Sequence, residues 1–414
     1  MRHLLIVASS FACFLSAGCN NSAQYLEITP RPVHLTQTQR NVVVESNILD
    51  GQNFWEWDSA HLGNEKRLIA LQRLGANEVV VLDDQRTLHI TADNGNTWSD
   101  RPVQFPDAGD ATGSYDVTSI YFVSPSVGWA TVTRTPADVL NAEGFESWLL
   151  RTVDGGSTWE VRYTSTAIQL TRVLFVNKQE GWISGGRLVN GESQHYESLV
   201  MHTINQGNYW SDVSGNLPQL TNSGYIKNIY TKGPSELLLA DSGRAFLSTK
   251  TDGQIWQEDG KLTKVDEQID IQQFGLRANG RLWALGGTHG REGTWTILAL
   301  QDSAKSWTVY RSYQMFLGDA MFLSDTEVIA CGAILRDDTP WLEGGSREGV
   351  ILSSSDAGRN WSVVYRNPHI KEINALGVAG TDDIWAVGDS GLVLRLKTKP
   401  KDSKDFVAQQ SSQL

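Results

Sequence analysis

One eight-residue pattern, Ser/Thr-x-Asp-x-Gly-x-x-Trp, constrains this chain more than any other feature. It reads Thr91-Ala-Asp93-Asn-Gly95-Asn-Thr97-Trp98, Thr152-Val-Asp154-Gly-Gly156-Ser-Thr158-Trp159 and Ser354-Ser-Asp356-Ala-Gly358-Arg-Asn360-Trp361. A further copy, Thr203-Ile-Asn205-Gln-Gly207-Asn-Tyr209-Trp210, has Asn for Asp. Weaker copies end at Trp256, with Thr249, Thr251 and Gly253, and at Trp307, with Asp302 and with Ala304 in place of Gly. Successive Trp residues are 61, 51, 46, 51 and 54 residues apart, a step within the range of propeller blades. A repeated Trp position also explains why Trp (15) outnumbers Tyr (11) and Phe (12).

Each copy is preceded by the same apolar runs. A first strand is read in Ser119–Val123 and Arg172–Val176, and a second ends in Gly128-Trp129-Ala130, Gly181-Trp182-Ile183, Leu282-Trp283-Ala284 or Ile384-Trp385-Ala386. A third runs into the motif, as in Trp148–Thr152 and Gly349–Ser353, and a short fourth follows its Trp. Four short strands per unit, bounded by Gly and Asp/Asn turns, make the blade of a β-propeller. The Asp accepts turn N–H groups, the Gly takes the φ > 0 that the turn requires, and the Trp is expected to anchor the unit's core. This spacing is the Asp box, or BNR repeat, a structural motif.

The blade count follows from the ends of the chain. Trp98 closes the first unit and Trp361 the sixth, and residues 373–397 supply three more strands without a fourth. A ring must close to avoid an open edge, and Asn41-Val-Val-Val-Glu45 is the surplus strand at the other end. The expected fold is all-β: a seven-bladed propeller of four-stranded blades with Asp-box repeats, closed by an N-terminal strand. Domains are expected at 1–18 (signal peptide), 19–40 (tether), 41–397 (propeller) and 398–414 (disordered tail). The signal reading rests on Arg2, the apolar stretch Leu4–Leu15 and Ser16-Ala17-Gly18 before Cys19. Small residues before a Cys resemble the bacterial lipobox, which implies lipidation at Cys19. Ser16 departs from the usual Leu, and an ordinary secretory signal with an incidental Cys is the competing reading. Asn20 after the Cys implies the outer membrane of the cell envelope by the same resemblance.

Composition removes several functions. The net charge of −12 argues against a nucleic-acid partner, which needs a basic footprint. Outside the signal and Cys19, Cys331 is the only cysteine, so a Cys-based zinc site is ruled out, and Cys331 reads as a small core residue. The eight His residues show no H-x-x-x-H or H-E-x-x-H spacing, and His89 and His202 read as packed or edge residues of third strands. No nucleophile elbow, Walker loop or dinucleotide fingerprint is found. No cofactor and no metal is expected, and no catalytic residue is assigned.

The Asp boxes combined with Gly-Trp-Ala second strands resemble the Ycf48/Hcf136-like propellers, the photosystem II stability and assembly factors and their bacterial relatives. The likeness covers roughly residues 66–397. It implies a non-enzymatic assembly factor that holds a protein partner, such as a subunit of an unfinished membrane complex. Those factors are associated with an Arg-rich patch whereas this chain is acidic, so the architecture is carried over and no binding residues are. Sialidases and other glycoside hydrolases also use Asp boxes. Thr29-Pro30-Arg31-Pro32-Val33 does not match the sialidase start, but two convergent carboxylates would leave no linear motif. A glycan-binding or hydrolytic propeller therefore stands as the alternative, and carboxylates such as Asp337 and Asp338 are its nearest candidates.

Extra residues between second and third strands occur at 131–147, 185–197, 286–293 and 332–348. In a four-stranded meander these loops share the face opposite the Asp boxes. They carry Arg134, Arg187, Tyr196, His289, Arg336, Trp341 and Arg347, residue types enriched at binding hot spots. These seven form the candidate binding face, with tolerated loop insertion as the equal alternative. Trp341 is the first choice because the repeat does not explain a Trp there.

Overall fold

The structure is a computed structural model that describes residues 40–52, 55–106, 113–136, 146–189, 196–218, 226–240, 245–262, 269–290, 293–303, 306–312, 314–335, 347–379 and 381–399. The signal, the tether up to residue 39 and the tail from residue 400 lie outside the described residues. Three strands open the chain: β1 (Arg40–Glu45), β2 (Asn47–Gln52) and β3 (Glu56–His61). Blade 1 is β4 (Leu68–Arg73), β5 (Val79–Asp83), β6 (Thr87–Thr91) and β7 (Ser99–Pro102). Blade 2 is β8 (Gly113–Phe122), β9 (Gly128–Pro136), β10 (Glu146–Thr152) and β11 (Glu160–Ser165). Blade 3 is β12 (Ile168–Phe175), β13 (Gly181–Leu188), β14 (Tyr196–Thr203) and β15 (Ser211–Asp212). Blade 4 is β16 (Ile229–Gly233), β17 (Glu236–Ala240), β18 (Ala245–Thr249) and β19 (Gln257–Lys261).

Blade 5 is β20 (Ile269–Leu276), β21 (Leu282–Gly290), β22 (Gly293–Ser303) and β23 (Ser306–Ser312). Blade 6 is β24 (Met315–Phe322), β25 (Val328–Leu335), β26 (Arg347–Ser354) and β27 (Asn360–Asn367). Blade 7 is β28 (Ile373–Val378), β29 (Ile384–Gly388) and β30 (Leu392–Thr398), completed by β3. Each blade is an antiparallel meander, so the fold class expected from the repeat is the one observed. Second strands are covered on both faces, and every residue of β5 and β29 is buried. This is why they read as continuous apolar runs rather than alternating ones.

The ring closes through a different strand from the one the sequence pattern picks out. Asn41–Glu45 lies in β1, which pairs in parallel with the outer strand of blade 5 (Val43↔Val309). The next strand, β2, pairs in parallel with the outer strand of blade 6 (Ile48↔Trp361). Closure belongs to β3, antiparallel to β30 with Ala60↔Val393 and His61↔Leu392. The reason is physical. A closing strand is an outer strand with one face in water, and β3 has no fully buried residue, so it needs no apolar run. The Val-rich segment instead covers the edge of a blade that is already complete.

Seven apolar clusters hold the ring, one between each pair of adjacent blades. The buried Trp129, Trp182, Trp283 and Trp385 of the second strands belong to them or line them. The motif Trp residues sit at the seam between their own unit and the preceding blade: Trp159 meets Phe122 and Trp210 meets Phe175 within their own blades, and other contacts reach back across the seam. Trp98 meets Trp385 edge-on at 6.5 Å, and Trp210 meets Trp129 at 6.1 Å. Trp98, Trp159, Trp210 and Trp256 are only half-buried. Trp307 and Trp361 are fully buried, and these are the two whose strands carry β1 and β2 on their open edge.

The four good motif copies fold into one hydrogen-bonded turn. Thr152 Oγ1 donates to Asp154 Oδ1 (2.8 Å) and accepts from the Gly156 N–H (2.8 Å), while the Thr158 N–H donates to Asp154 Oδ1 (2.9 Å). Thr91–Thr97, Thr203–Tyr209 and Ser354–Asn360 repeat these bonds. Bonds from the Thr158 backbone and hydroxyl, then from Thr152, hold the Asp154 carboxyl down at about 2. In blade 4 the Thr251 hydroxyl stands in for the carboxylate and accepts the Ile255 N–H at 2.9 Å.

Candidate functional site

The first strands form the inner edge of the ring, in contact between blades 1 and 2, 2 and 3, 5 and 6, 6 and 7, and 7 and 1, and they surround the central channel of a propeller. Six of them carry a β-bulge at one level, with register breaks at 68/70, 117/119, 170/172, 271/273, 317/319 and 373/375. A bulge adds one residue and re-aims its neighbours. Here it directs polar side chains onto the next blade. Thr118 donates to Leu170 O (2.9 Å), Asn374 donates to Leu68 O (2.8 Å), and Asp319 Oδ2 accepts the Leu376 N–H (2.8 Å).

The residue after each bulge occupies the same position in its first strand: Ala70, Ser119, Arg172, Gln273, Asp319 and Ala375. Two members are charged. Arg172 is solvent-exposed. Desolvation by the surrounding protein lowers its pKa, and the charges of Asp319 and Tyr121 work against that. It has no hydrogen-bond partner among the described residues. Desolvation raises the Asp319 carboxyl to about 6, outweighing its hydrogen bonds and the Arg172 charge. Its Oδ1 is buried without a partner.

The channel opens on the face that carries the second-to-third-strand loops. Around that mouth Arg67 Nε donates to Asp389 Oδ1 (3.2 Å), and its Nη2 lies 3.2 Å from Asn374 Oδ1 and 3.7 Å from Glu372. Burial raises the Glu372 pKa. Lys227 binds Asp270 at 2.6 Å between blades 4 and 5.

The residues expected to form the binding face are placed as follows. Arg134 and Arg187 end second strands, and Tyr196 and Arg347 begin third strands, all at this face. Arg134 pairs with Glu146 (3.4 Å), Arg187 with Asp212, and Arg347 approaches Glu372 (3.9 Å). His289 lies in β21, but its side chain is outside the described residues, as are Arg336, Trp341, Asp337 and Asp338. Pattern reading did not find Arg67, Arg172, Asp319 or Glu372. A signal existed for two of them: aligning the first strands at Ser119 and Arg172 puts Asp319 in the same column, a charge where the neighbours are small or neutral.

The histidines pack as expected. His89 is fully buried between Asp100 (2.6 Å) and Asp83 (3.1 Å), and His202 stacks on Trp182. Glu180, His202 and Asp252 each place one ligand atom within 4.8 Å of the others, which makes them the described group best able to hold a cation. Glu180 Oε1 already accepts the Ser235 N–H at 2.6 Å and lies 3.3 Å from His202 Nε2, so the group works as a polar staple from blade 3 to the hairpin of blade 4. Cys331 is buried and free, with its thiol pKa raised well above normal by burial, which suits packing and not nucleophilic attack. A shallow cleft of about 340 Å³ between blades 4 and 5 includes Glu236, Lys250, Asp259 and Gln301 in its lining.

A closed seven-blade ring stapled by motif turns defines a seven-bladed β-propeller. Its relatives make the class more specific. The chain is 25% identical over 335 residues to the photosystem II stability/assembly factor HCF136 of Arabidopsis thaliana chloroplasts, covering 76% of this chain and 72% of that protein. A solved YCF48 bound to a D1 peptide matches with a TM-score of 0.55 and 18% identity, over 86% of this chain and 100% of that one. YCF48 from Cyanidioschyzon merolae matches at 0.54 and 16%, over 82% and 98%. An ulvan lyase of polysaccharide lyase family PL25 shares the fold at a TM-score of 0.53 and 11% identity, over 85% and 99%. No family model matches the chain. The protein is a seven-bladed β-propeller similar to the Ycf48 and HCF136 propellers.

Proposed function

We propose that this protein is a non-catalytic assembly or holding factor, an Asp-box propeller tethered to the bacterial envelope by lipid on Cys19. In this reading it binds an exposed segment of a membrane-complex subunit. The observation that carries this is the similarity to HCF136, which runs through most of both chains and not through a single repeat. The fold likeness to a lyase is too remote in sequence to carry glycan chemistry to this chain. The binding face is the one with Arg134, Arg187, Tyr196, His289, Arg336, Trp341 and Arg347, around the channel mouth. Its described arginines already have acidic neighbours, so a partner would exchange one set of ion pairs for another and gain selectivity more than raw affinity.

The test is recovery of crosslinked partners from membranes with the full-length chain. Trp341→Ala and Arg336→Ala are each expected to weaken partner binding by about 1–3 kcal/mol, as hot-spot truncations do, at unchanged thermal stability. Equal recovery across both variants would move the binding surface elsewhere. Loss of glycan-cleaving activity in Asp337→Asn would replace the assembly reading with the enzymatic one. Cys19→Ser is expected to shift the protein from the membrane to the soluble envelope fraction without unfolding it.

A further inference from the structure

Among the described residues, four large apolar side chains are more than three-fifths exposed: Val153 (61%), Ile204 (70%), Tyr209 (69%) and Ile255 (69%). All four sit in motif turns, and those turns belong to three consecutive blades, 2, 3 and 4. They occupy the second and seventh positions of the motif, whose side chains take no part in the apolar cluster of the turn. Blades 1 and 6 form the same turn with Ala92, Thr97, Ser355 and Asn360 at these positions. The fold therefore does not require bulky apolar groups there. Scattered single exposures are ordinary, but a run confined to equivalent tips of neighbouring blades marks a contact surface.

The path of the chain says what that surface meets. Strand β1 is parallel to β23, and Arg40 pairs with Ser306, immediately after the turn from the third to the fourth strand of blade 5. The N-terminal segment thus enters the propeller on the motif-turn face, at the blade next to blade 4. Cys19 lies 21 residues before Arg40. Exposed Lys178 and Lys250 accompany the apolar tips in blades 3 and 4, in a chain whose net charge is −12. Separate aliphatic tips, a tyrosine and nearby lysines suit shallow insertion at a headgroup boundary. The tips stand apart, one or two to a blade, and do not merge into the continuous apolar core of a stable protein interface.

We propose that the motif turns of blades 2–4 are a membrane-contact edge, which sets the Val153, Ile204, Tyr209 and Ile255 side chains into the lipid surface and turns the long-loop face outward. The proposal rests on the lipid-anchor reading above, and its test is built to be independent of it. The mature chain from Cys19 is coupled through that thiol to maleimide lipid in phosphatidylethanolamine/phosphatidylglycerol vesicles carrying a diazirine lipid. Cys331 is buried and stays unreacted. Because the coupling is chemical, the result does not depend on whether cells lipidate Cys19, which radiolabelled-palmitate incorporation decides separately.

Photolabelling is expected to concentrate in the motif turns at 153, 204–209 and 255 and to spare the opposite turns at 84–86 and 389–391. The combined variant Val153→Ser, Ile204→Ser, Tyr209→Ser, Ile255→Ser should reduce labelling of those turns at least fivefold at unchanged melting temperature. Equal labelling of both faces, or labelling confined to the long-loop face, would overturn the proposal. A dimer in solution that the combined variant abolishes would also overturn it, making the edge a contact between copies.

Discussion

At the scale of single residues, the environment of a side chain decides its role more than its place in the repeat. Trp159 and Trp361 hold the same motif position, but Trp159 is half-buried and Trp361 is sealed by β2. Trp361→Ala should cost about 3–5 kcal/mol as a large-to-small core change. Trp159→Ala should cost about 1.5–3 kcal/mol, in line with the smaller area it buries. Urea denaturation of the two variants checks the ordering, and equal losses would mean that β2 contributes no cover. Asp319 gives a pH-dependent case. Its folded pKa is raised to about 6 from 3.8, so its favourable contribution is complete below about pH 4 and is lost as pH rises through 6. Asp319→Asn, which stays neutral, should match the wild type near pH 4 and exceed it by about 1–3 kcal/mol near pH 7. A difference that shrinks as pH rises would show that the Arg172 charge outweighs desolvation.

At the scale of elements, the motif turn joins blades, and its glycine shows why. Gly207 has φ +69°, and a Cβ there would overlap the Trp129 ring of the preceding blade. Gly280 has φ +78° but open space around it. Gly207→Ala should therefore cost about 2–4 kcal/mol, backbone strain plus overpacking, against about 1–2 kcal/mol for Gly280→Ala. Matching melting temperatures for the two variants would refute the close approach to Trp129 as a stabilising contact. The turn was legible in the sequence because its signal is local: Thr, Asp, Gly and Trp lie within eight positions. The four-strand blade was legible for the same reason. What Trp98 packs against was not, since Trp385 lies in another blade. Nor was the role of β1, because parallel pairing onto an outer strand leaves no periodic mark and Val42–Val44 looks the same in any strand. The column of Arg172 and Asp319 was half-legible, visible in aligned first strands but without the bulge that gives it meaning. Trp341 and Arg336 were singled out by loop length alone, and the described residues do not reach them.

At the scale of the whole molecule, the two ends of the chain meet in one blade. Strand β3 pairs with β30, and Arg67 at the start of blade 1 bonds Asp389 in blade 7, so closure links residues more than 300 positions apart. The segment that would carry an anchor enters through β1 and β2, which lie on blades 5 and 6 before the chain reaches the closing strand. A pull on the tether is thus taken by two parallel edge strands, and the ring stays shut behind them. Two truncations separate these layers. A chain starting at Trp55 keeps β3 and uncovers the Trp307 and Trp361 edges, so it should remain a monomer and lose about 2–4 kcal/mol. A chain starting at Gly63 loses β3 and leaves the edge of β30 open, which invites pairing between copies. It should aggregate or form dimers on size exclusion, and its urea transition should split because blade 7 no longer bridges the ends. A stable monomer with one sharp transition from the shorter chain would mean that the seven interfaces hold the ring without closure.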